Sequence, residues 1–119
     1  MEKFAIDEIL AKVDELVEII KNSQEYVNYS KITYKLKSNE EIMRIIGEVK
    51  ELQKECVNLE YRKMDTSLVE RKIEENLNYL KGIPIYSEYL YLEEELDELF
   101  QNVKYIIESH INNKNNNNF

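Results

Sequence analysis

The apolar residues of this chain recur mostly at alternating spacings of three and four, which is the pattern of amphipathic α-helices. The first stripe predicts a helix over about Lys3–Lys21. Its apolar positions are Ile6, Leu10, Val13, Val17 and Ile20. A second helix with a less regular pattern is predicted to reach about Leu36, and either Asn22 or Ser23 can cap its first turn.

A third helix is predicted to begin near residue 40. Ser38 and Glu41 have the spacing of a capping box, in which each side chain bonds the backbone N–H of the other residue. Gly47 lies inside this helix, where glycine costs about 1 kcal/mol relative to alanine. The stripe keeps heptad spacing over Ile42, Ile45, Val49, Leu52, Cys56 and Leu59.

A break around Lys63–Thr66 separates the third helix from the fourth. Either Thr66 or Ser67 can cap the fourth helix, and Glu70 follows Ser67 at the spacing of a capping box. The helix is predicted to run from about Leu68 to Lys81. Its inward positions are Val69, Ile73, Leu77 and Leu80.

Gly82 and Pro84 separate the fourth helix from the fifth. Glycine suits the left-handed residue that ends many helices, and proline suits the first position of a helix. The fifth helix is predicted to end near Ile111, and the asparagine-rich residues 112–119 are predicted to form a disordered tail. Its stripe is the longest in the chain: Ile85, Tyr89, Leu92, Leu96, Leu99, Val103, Ile106 and His110.

These elements predict an all-α fold, a small helical bundle of about five helices with a long antiparallel helical hairpin and a long C-terminal helix. Residues 1–111 are predicted to form one helical domain. The heptad stripes of the third and fifth helices are long for the core of a 119-residue chain. Part of one stripe is therefore expected to face another subunit, in a homo- or hetero-oligomer.

The composition removes several classes of function. Two glycines and one proline are too few for the turns of a many-stranded barrel, and no glycine-rich loop can cradle a phosphate. With 24 acidic and 16 basic residues, the net charge is −8, so direct binding to nucleic acid is not expected. The N-terminus has acids where a signal peptide needs bases, and no run approaches the ~20 apolar residues of a membrane span. A cytoplasmic protein without membrane insertion is predicted.

Few residues offer catalytic chemistry. Cys56 is the one cysteine, and its place in the third stripe suits either a small buried hydrophobe or a redox or metal-binding thiol. His110 is the one histidine and has no nucleophile or second ligand close in sequence. The five acids from Glu93 to Glu98 form either a solvated helix face, a docking surface for a basic partner, or an enzyme's metal site. A di-iron site between helices needs Glu-x-x-His pairs, and the sequence has none, so a non-enzymatic protein is predicted.

Nine tyrosines are many for a chain of this length. Tyrosine is frequent at interfaces because its ring is buried while its hydroxyl stays hydrogen-bonded, although partial burial at helix ends explains the tyrosines equally well. The hypothesis of a binding protein places its partner-binding residues at Asn58, Tyr61, Tyr86, Tyr91, Glu94, Glu95 and Glu98.

Three segments carry a resemblance to a known family. They are Leu52-Gln53-Lys54, Val57-Asn58-Leu59 and, at the start of the last helix, Ile83-Pro84-Ile85. Together with the order of the helices, they make residues of about 4–111 resemble the YlbF/YmcA family of small helical bacterial regulators, once named for control of competence. Within that family, the sequence is most similar to the YmcA branch.

The resemblance implies a regulatory adaptor. Members of the family assemble with each other and with a YaaT-type protein. That complex influences ribonuclease Y in mRNA processing, and through it competence, sporulation and biofilm formation. The alternative hypothesis is a structural helical homo-oligomer, or a chaperone-like scaffold, that has no RNA-processing partners.

The resemblance also implies a cofactor, but this chain differs from the family in the segment that would bind it. In the family, cysteines in the segment after the last helix are linked to iron–sulfur clusters. The corresponding segment here is rich in asparagine and has no cysteine. The prediction is therefore that the chain holds no cofactor of its own, and that Cys56 offers at most one ligand to a shared cluster.

Overall fold

The computed structural model describes residues 2–117 of the chain, and it describes side chains from residue 5 to residue 113. Within those limits the chain has five helices and no strand. The helices are α1 (Glu2–Lys21), α2 (Gln24–Lys37), α3 (Glu40–Tyr61), α4 (Ser67–Lys81) and α5 (Pro84–Asn117). The predicted all-α fold is confirmed.

The chain divides into two compact units. The hairpin unit spans Lys31–Tyr91, and the terminal unit consists of the described residues before Lys31 and after Tyr91. The predicted division into a helical domain at 1–111 and a disordered tail at 112–119 stays a prediction, and residues 118 and 119 lie outside the described part. The helix α5 itself is assigned to Asn117, six residues past the end expected from the apolar stripe.

Four helix ends meet in the core of the hairpin unit. Leu36 at the end of α2, Ile42 and Ile45 at the start of α3, and Leu80 at the end of α4 are all buried. Ile42 and Leu80 are fully excluded from solvent, and burying a side chain of this size is worth about 1.5–3 kcal/mol. The partly buried residues around them, which bring in the start of α5, are Ile46, Leu77, Ile83, Ile85, Tyr86 and Tyr89.

The helices α3 and α4 pack against each other as the predicted antiparallel hairpin. At the core end, the Tyr79 hydroxyl of α4 donates to a Glu41 carboxylate oxygen of α3 at 2.5 Å, and this bond raises the pKa of Tyr79. At the far end, Cys56 of α3 faces Glu70 of α4. The α3 stripe is buried at Ile42, Ile45 and Val49, and it becomes half-buried from Leu52 onward.

The cap of α3 differs from the prediction. Asn39, not Ser38, accepts the backbone N–H of Ile42, at 3.0 Å. The Ser38 backbone still bonds carbonyls of the last turn of α2, and its hydroxyl donates to the Tyr34 carbonyl at 3.1 Å. The capping box on Ser38 is therefore wrong, because that hydroxyl bonds a carbonyl of the last turn of α2 and is not available to α3. At the start of α2 the two predicted candidates are resolved in favour of Ser23, whose hydroxyl accepts from Tyr26 at 3.2 Å.

The cap of α4 also differs from the prediction, because it comes from a residue of the turn between α3 and α4. Asp65 accepts both the backbone N–H of Ser67, at 3.0 Å, and its hydroxyl, at 2.7 Å. These two bonds lower the pKa of the Asp65 carboxyl. Thr66 is in the cap position but makes no side-chain cap bond to the backbone. The cap expected at Thr66 or Ser67 is thus supplied by the residue before them.

The left-handed residue expected at Gly82 is absent from that position. Gly82 has a φ of −77°, and Lys63 in the turn after α3 has a φ of 58°. Gly82 and Ile83 donate to the carbonyls of Tyr79 and Leu80, so a right-handed turn continues directly to Pro84 at the start of α5. Proline at that first position agrees with the prediction.

The variant Asn39→Ala tests the cap of α3. Loss of the bond to Ile42 leaves a backbone donor unpaired beside the core, so we expect the free energy of unfolding to fall by about 1 kcal/mol. Ser38→Ala is the matched control and should change it by less than about 0.5 kcal/mol. Urea unfolding of both variants is the measurement, and a larger loss in Ser38→Ala would contradict the assignment.

Candidate protein-binding surfaces

The apolar stripe of α1 lies on the surface. We call Ile6, Leu10, Val13 and Val17 the α1 stripe, and their exposed fractions are 56%, 54%, 43% and 38%. Leu16 and Ile20 beside it are half-buried. A stripe with helical period on an amphipathic helix is typical of a face that packs against another helix. The part of the chain that the structure describes does not bury it.

The outer half of α5 adds exposed apolar side chains to the same terminal unit. Ile107 lies with Ile9, Val13 and Leu16 of α1 around an open groove of about 650 Å³. The exposed apolar residues in this half of α5 are Phe100, Tyr105, Ile106, Ile107 and Ile111. Contiguous apolar surface of this kind on a charged protein marks a protein-binding site more often than it marks a monomer surface.

The predicted acidic residues of α5 lie around a small hollow in the terminal unit. Glu95 and Glu98 line a hollow of about 180 Å³ together with Glu25 of α2, Leu99 and Asn102. Glu94 is exposed and lies outside the lining of the hollow. Within the described residues no ion pair neutralises these carboxylates. Glu25 was missed by the sequence analysis, because only the fold brings the start of α2 beside α5.

The predicted tyrosines have different surroundings. Tyr61 and Asn58 are exposed on the last turn of α3. At 88%, Tyr61 is the most exposed of the large hydrophobic side chains in the described part of the chain. Tyr91 is 60% exposed. Tyr86 is half-buried, its ring centroid lies 5.9 Å from that of Tyr89, and it packs against the hairpin core. A role for these residues in partner binding stays a prediction.

One interpretation of its stripe position was that Cys56 is a small buried hydrophobic residue, and the structure contradicts that interpretation. Its thiol is half-buried and lies 3.8 Å from a Glu60 carboxylate oxygen, one helical turn further along. With Glu70 of α4, these side chains place three possible ligand atoms within 4.8 Å of one another. Burial raises the pKa of the Cys56 thiol, and the carboxylates of Glu60 and Glu70 raise it further. The thiol therefore stays protonated at neutral pH, which makes it a poor nucleophile.

The residues around Cys56 do not fit an iron–sulfur cluster. Such clusters are held by cysteine thiolates, commonly four of them, whereas this chain has one cysteine with two carboxylates beside it. Carboxylates are hard ligands that suit other ions. The expectation that the chain holds no cofactor of its own stays a prediction.

A larger cleft lies in the hairpin unit, along the groove between α3 and α4. It has a volume of about 780 Å³ and was not predicted. The hairpin cleft, as we call it, is lined by Gly47, Glu48, Glu51, Leu52, Lys72, Glu75 and Asn76. The signal in the sequence was Gly47, a glycine in the interior of a helix where nothing local calls for one.

The exposed surfaces of the helices indicate the class of protein to which this chain belongs. The described residues form no helix that is long and apolar enough to cross a lipid bilayer. Exposed apolar and acidic helix surfaces, on a chain with one cysteine and one histidine, are typical of regulatory proteins that act by binding other proteins. Residues 9–112 match the family described as "Control of competence regulator ComK, YlbF/YmcA". The chain belongs to this YlbF/YmcA family, so the resemblance found in the sequence is confirmed.

Two relatives place the chain within that family. It is 25% identical to the YmcA protein of Bacillus subtilis (strain 168) over 116 residues, which cover 96% of this chain and 81% of YmcA. It is also similar to a chain in the crystal structure of Bacillus subtilis RicA in complex with RicF. The TM-score is 0.72 at 21% identity, over 87% of this chain and 93% of that chain. This second likeness shows the fold.

The variant Glu60→Gln, Glu70→Gln tests the surroundings of Cys56. Removing the two negative charges should lower the pKa of the thiol, so the alkylation rate should begin to rise at a lower pH. The rate is measured with iodoacetamide by mass spectrometry between pH 7 and pH 10, a range around the usual cysteine pKa. Glu55→Gln is the control. An unchanged rate profile in the double variant would contradict the assignment.

Proposed function

We propose that this chain is a non-enzymatic regulatory adaptor of the cytoplasm. It assembles with YlbF-like and YaaT-like partners, and the assembly modulates mRNA processing that depends on ribonuclease Y. Competence, sporulation or biofilm formation is the process affected downstream. The chain contributes protein-binding surface and no catalytic group.

The observation that carries this proposal is the α1 stripe. Its side chains keep a helical period over three turns, yet between 38% and 56% of each stays exposed. A periodic apolar face that its own chain leaves open has to be covered by another protein or it promotes aggregation. Full burial of such a side chain is worth about 1.5–3 kcal/mol, and roughly half of that remains to be gained at each of the four positions, so together they provide a substantial part of an affinity.

The relatives support the same reading. Membership in the YlbF/YmcA family assigns a regulatory role. A solved structure that shares the fold is that of RicA in complex with RicF, so a fold of this kind is found with a protein partner. Partner binding through α1 and α5 is consistent with a chain that offers one half of a helical interface.

The residues Glu94, Glu95 and Glu98 of α5, which we call the acidic surface, support the selection of a partner, whereas the α1 stripe supports affinity. Residues 82–111 carry seven acids and only Lys104 as a base. Charges on the rim of an interface speed association and select partners of the opposite charge more than they add affinity. We therefore assign Glu94, Glu95 and Glu98 to the recognition of a basic partner.

The variant Leu10→Glu, Val13→Glu tests the α1 stripe. Two charges on the stripe should prevent its burial, so we expect the tagged chain to lose its partners in native mass spectrometry of complexes from its own host. Ile19→Glu is the matched control, because Ile19 is 68% exposed and lies off the stripe. Circular dichroism checks that all variants stay helical.

Two results would overturn the proposal. One is retention of the same partners, in the same stoichiometry, by Leu10→Glu, Val13→Glu. The other is a bare homodimer or homotetramer from the unaltered chain, which would favour the structural homo-oligomer.

The triple variant Glu94→Lys, Glu95→Lys, Glu98→Lys tests the acidic surface. Reversing three charges should repel a basic partner, so we expect weaker capture and a smaller dependence of capture on salt concentration. The control reverses Glu55, Glu60 and Glu74, three exposed acids of the hairpin unit that lie outside the acidic surface and the α1 stripe. Equal capture of every partner by the triple variant and by the unaltered chain would remove the acidic surface from the proposal.

A further inference from the structure

We infer that the hairpin cleft receives a helical segment of a partner protein that carries a lysine or an arginine. This inference rests on the proposed function, which it deepens by giving the chemistry of a partner and a second place of contact. It concerns the hairpin unit alone, and no residue of the α1 stripe or of the acidic surface takes part.

The first argument is that nothing inside the chain requires a glycine at position 47. Gly47 lies in the interior of the 22-residue helix α3, where glycine weakens a helix relative to alanine. Its backbone does not have the positive φ that favours glycine. A Cβ placed on Gly47 would meet no atom within 4 Å, so no neighbouring helix needs the space either.

A glycine that neither the backbone nor the internal packing explains leaves room for something outside the chain. Glycine is the usual residue where another backbone or a ligand approaches closely. Gly47 lines the hairpin cleft, so the open space is the space in front of α3. The missing side chain allows a partner helix to approach the axis of α3 more closely than alanine or leucine would.

The second argument is the charge of the cleft. Its lining has three carboxylates, from Glu48, Glu51 and Glu75, and one cation, from Lys72. Glu48 is paired with Arg44 at 2.7 Å, and Glu51 is paired with Lys54 at 3.4 Å, but all four side chains are well exposed to solvent. Exposed pairs of this kind are weak, so a basic side chain entering the cleft competes with them easily.

Glu75 makes the acidic character of the cleft stronger. Within the described residues it has no ion pair and no hydrogen bond from its side chain. It lies across the cleft from the Glu48 and Glu51 side of α3. Glu51 of α3 and Glu75 of α4 both line the cleft, so each helix of the hairpin contributes a carboxylate, and this gives the cleft its preference for lysine or arginine.

The third argument is the shape of the cleft and its floor. The cleft is an open groove between two antiparallel helices, and half-buried Leu52 provides an apolar surface in it. Grooves of this kind bind an amphipathic helix, whose apolar side chains lie on the floor while its charges meet the rim. The aliphatic stem of a lysine or arginine suits Leu52, and its charged end suits the acidic rim.

The test measures the binding of two purified proteins from the same organism, the YlbF-like protein and the YaaT-like protein, by isothermal titration calorimetry. The variants are Gly47→Ala, Gly47→Leu and Glu51→Lys, Glu75→Lys. The matched control is Glu55→Lys, Glu74→Lys, which makes the same change of charge on the same two helices outside the cleft.

We expect a separation of stability from binding. Gly47→Ala should raise the midpoint of thermal unfolding, because alanine favours the helix and meets no neighbour. Gly47→Leu and Glu51→Lys, Glu75→Lys should weaken the binding of at least one of the two proteins by about tenfold or more. Glu55→Lys, Glu74→Lys should stay within about threefold of the unaltered chain, since exposed charges off the contact contribute little.

The contact itself is located by a photo-crosslinking residue placed at position 76 in the cleft lining. The crosslinked peptide should come from the bound protein and contain a lysine or an arginine. A peptide from a second copy of this chain, or one without a basic residue, would overturn the inference.

The calorimetry separates the two proposals. If the cleft variants bind both proteins as the unaltered chain does, the inference is wrong and the proposed function stands. If the unaltered chain binds neither protein, the proposed function fails and the inference fails with it.

Discussion

The burial of Ile42 and Leu80 is the constraint on which the hairpin unit depends. Ile42 begins α3 and Leu80 ends α4, so their contact region fixes the two helices at one end of the hairpin. The hydrogen bond from Tyr79 to Glu41 closes the same end from the outside. Truncating either core residue to alanine would leave a cavity that costs about 2–5 kcal/mol, a large share of the stability of so small a unit.

The surfaces available for binding follow from where that core stops. Along α3 the stripe is buried through Val49, and from Leu52 onward it is half-buried although α4 packs against α3. The hairpin cleft opens at this change, beside Gly47. In the chain taken alone, burial is thus incomplete in the far half of the hairpin. The same two helices can therefore hold the fold together at one end and leave side chains available for binding at the other.

Helix number and type were predictable because they depend on a local property. The spacing of apolar residues is a consequence of backbone geometry, so it placed α1, α3, α4 and α5. The helix α2 has a less regular pattern and was placed with the help of the caps predicted at its two ends. The errors came from competition between neighbours. Ser38 bonds the end of α2 and leaves Asn39 to cap α3, and the glycine expected in a left-handed turn, Gly82, continues a right-handed one. For the site, the pattern showed an α1 stripe but not that it stays exposed, and it gave no sign that Glu25 approaches Glu95 or that Glu70 approaches Cys56.

In the adaptor that we propose, apolar and acidic surfaces contribute differently to the recognition of partners. Apolar area gives affinity without direction, so by itself the α1 stripe would accept many amphipathic helices. Carboxylates add a cost for every partner with the wrong charge, and that cost is what separates one partner from another. Under the proposed function we therefore assign partner selectivity to the acids Glu95 and Glu98 in the terminal unit, and to Glu51 and Glu75 in the hairpin unit. The core residues that hold the fold lie elsewhere, so surface charges of this kind can change without loss of the fold, and the fold is shared with a chain of 21% identity.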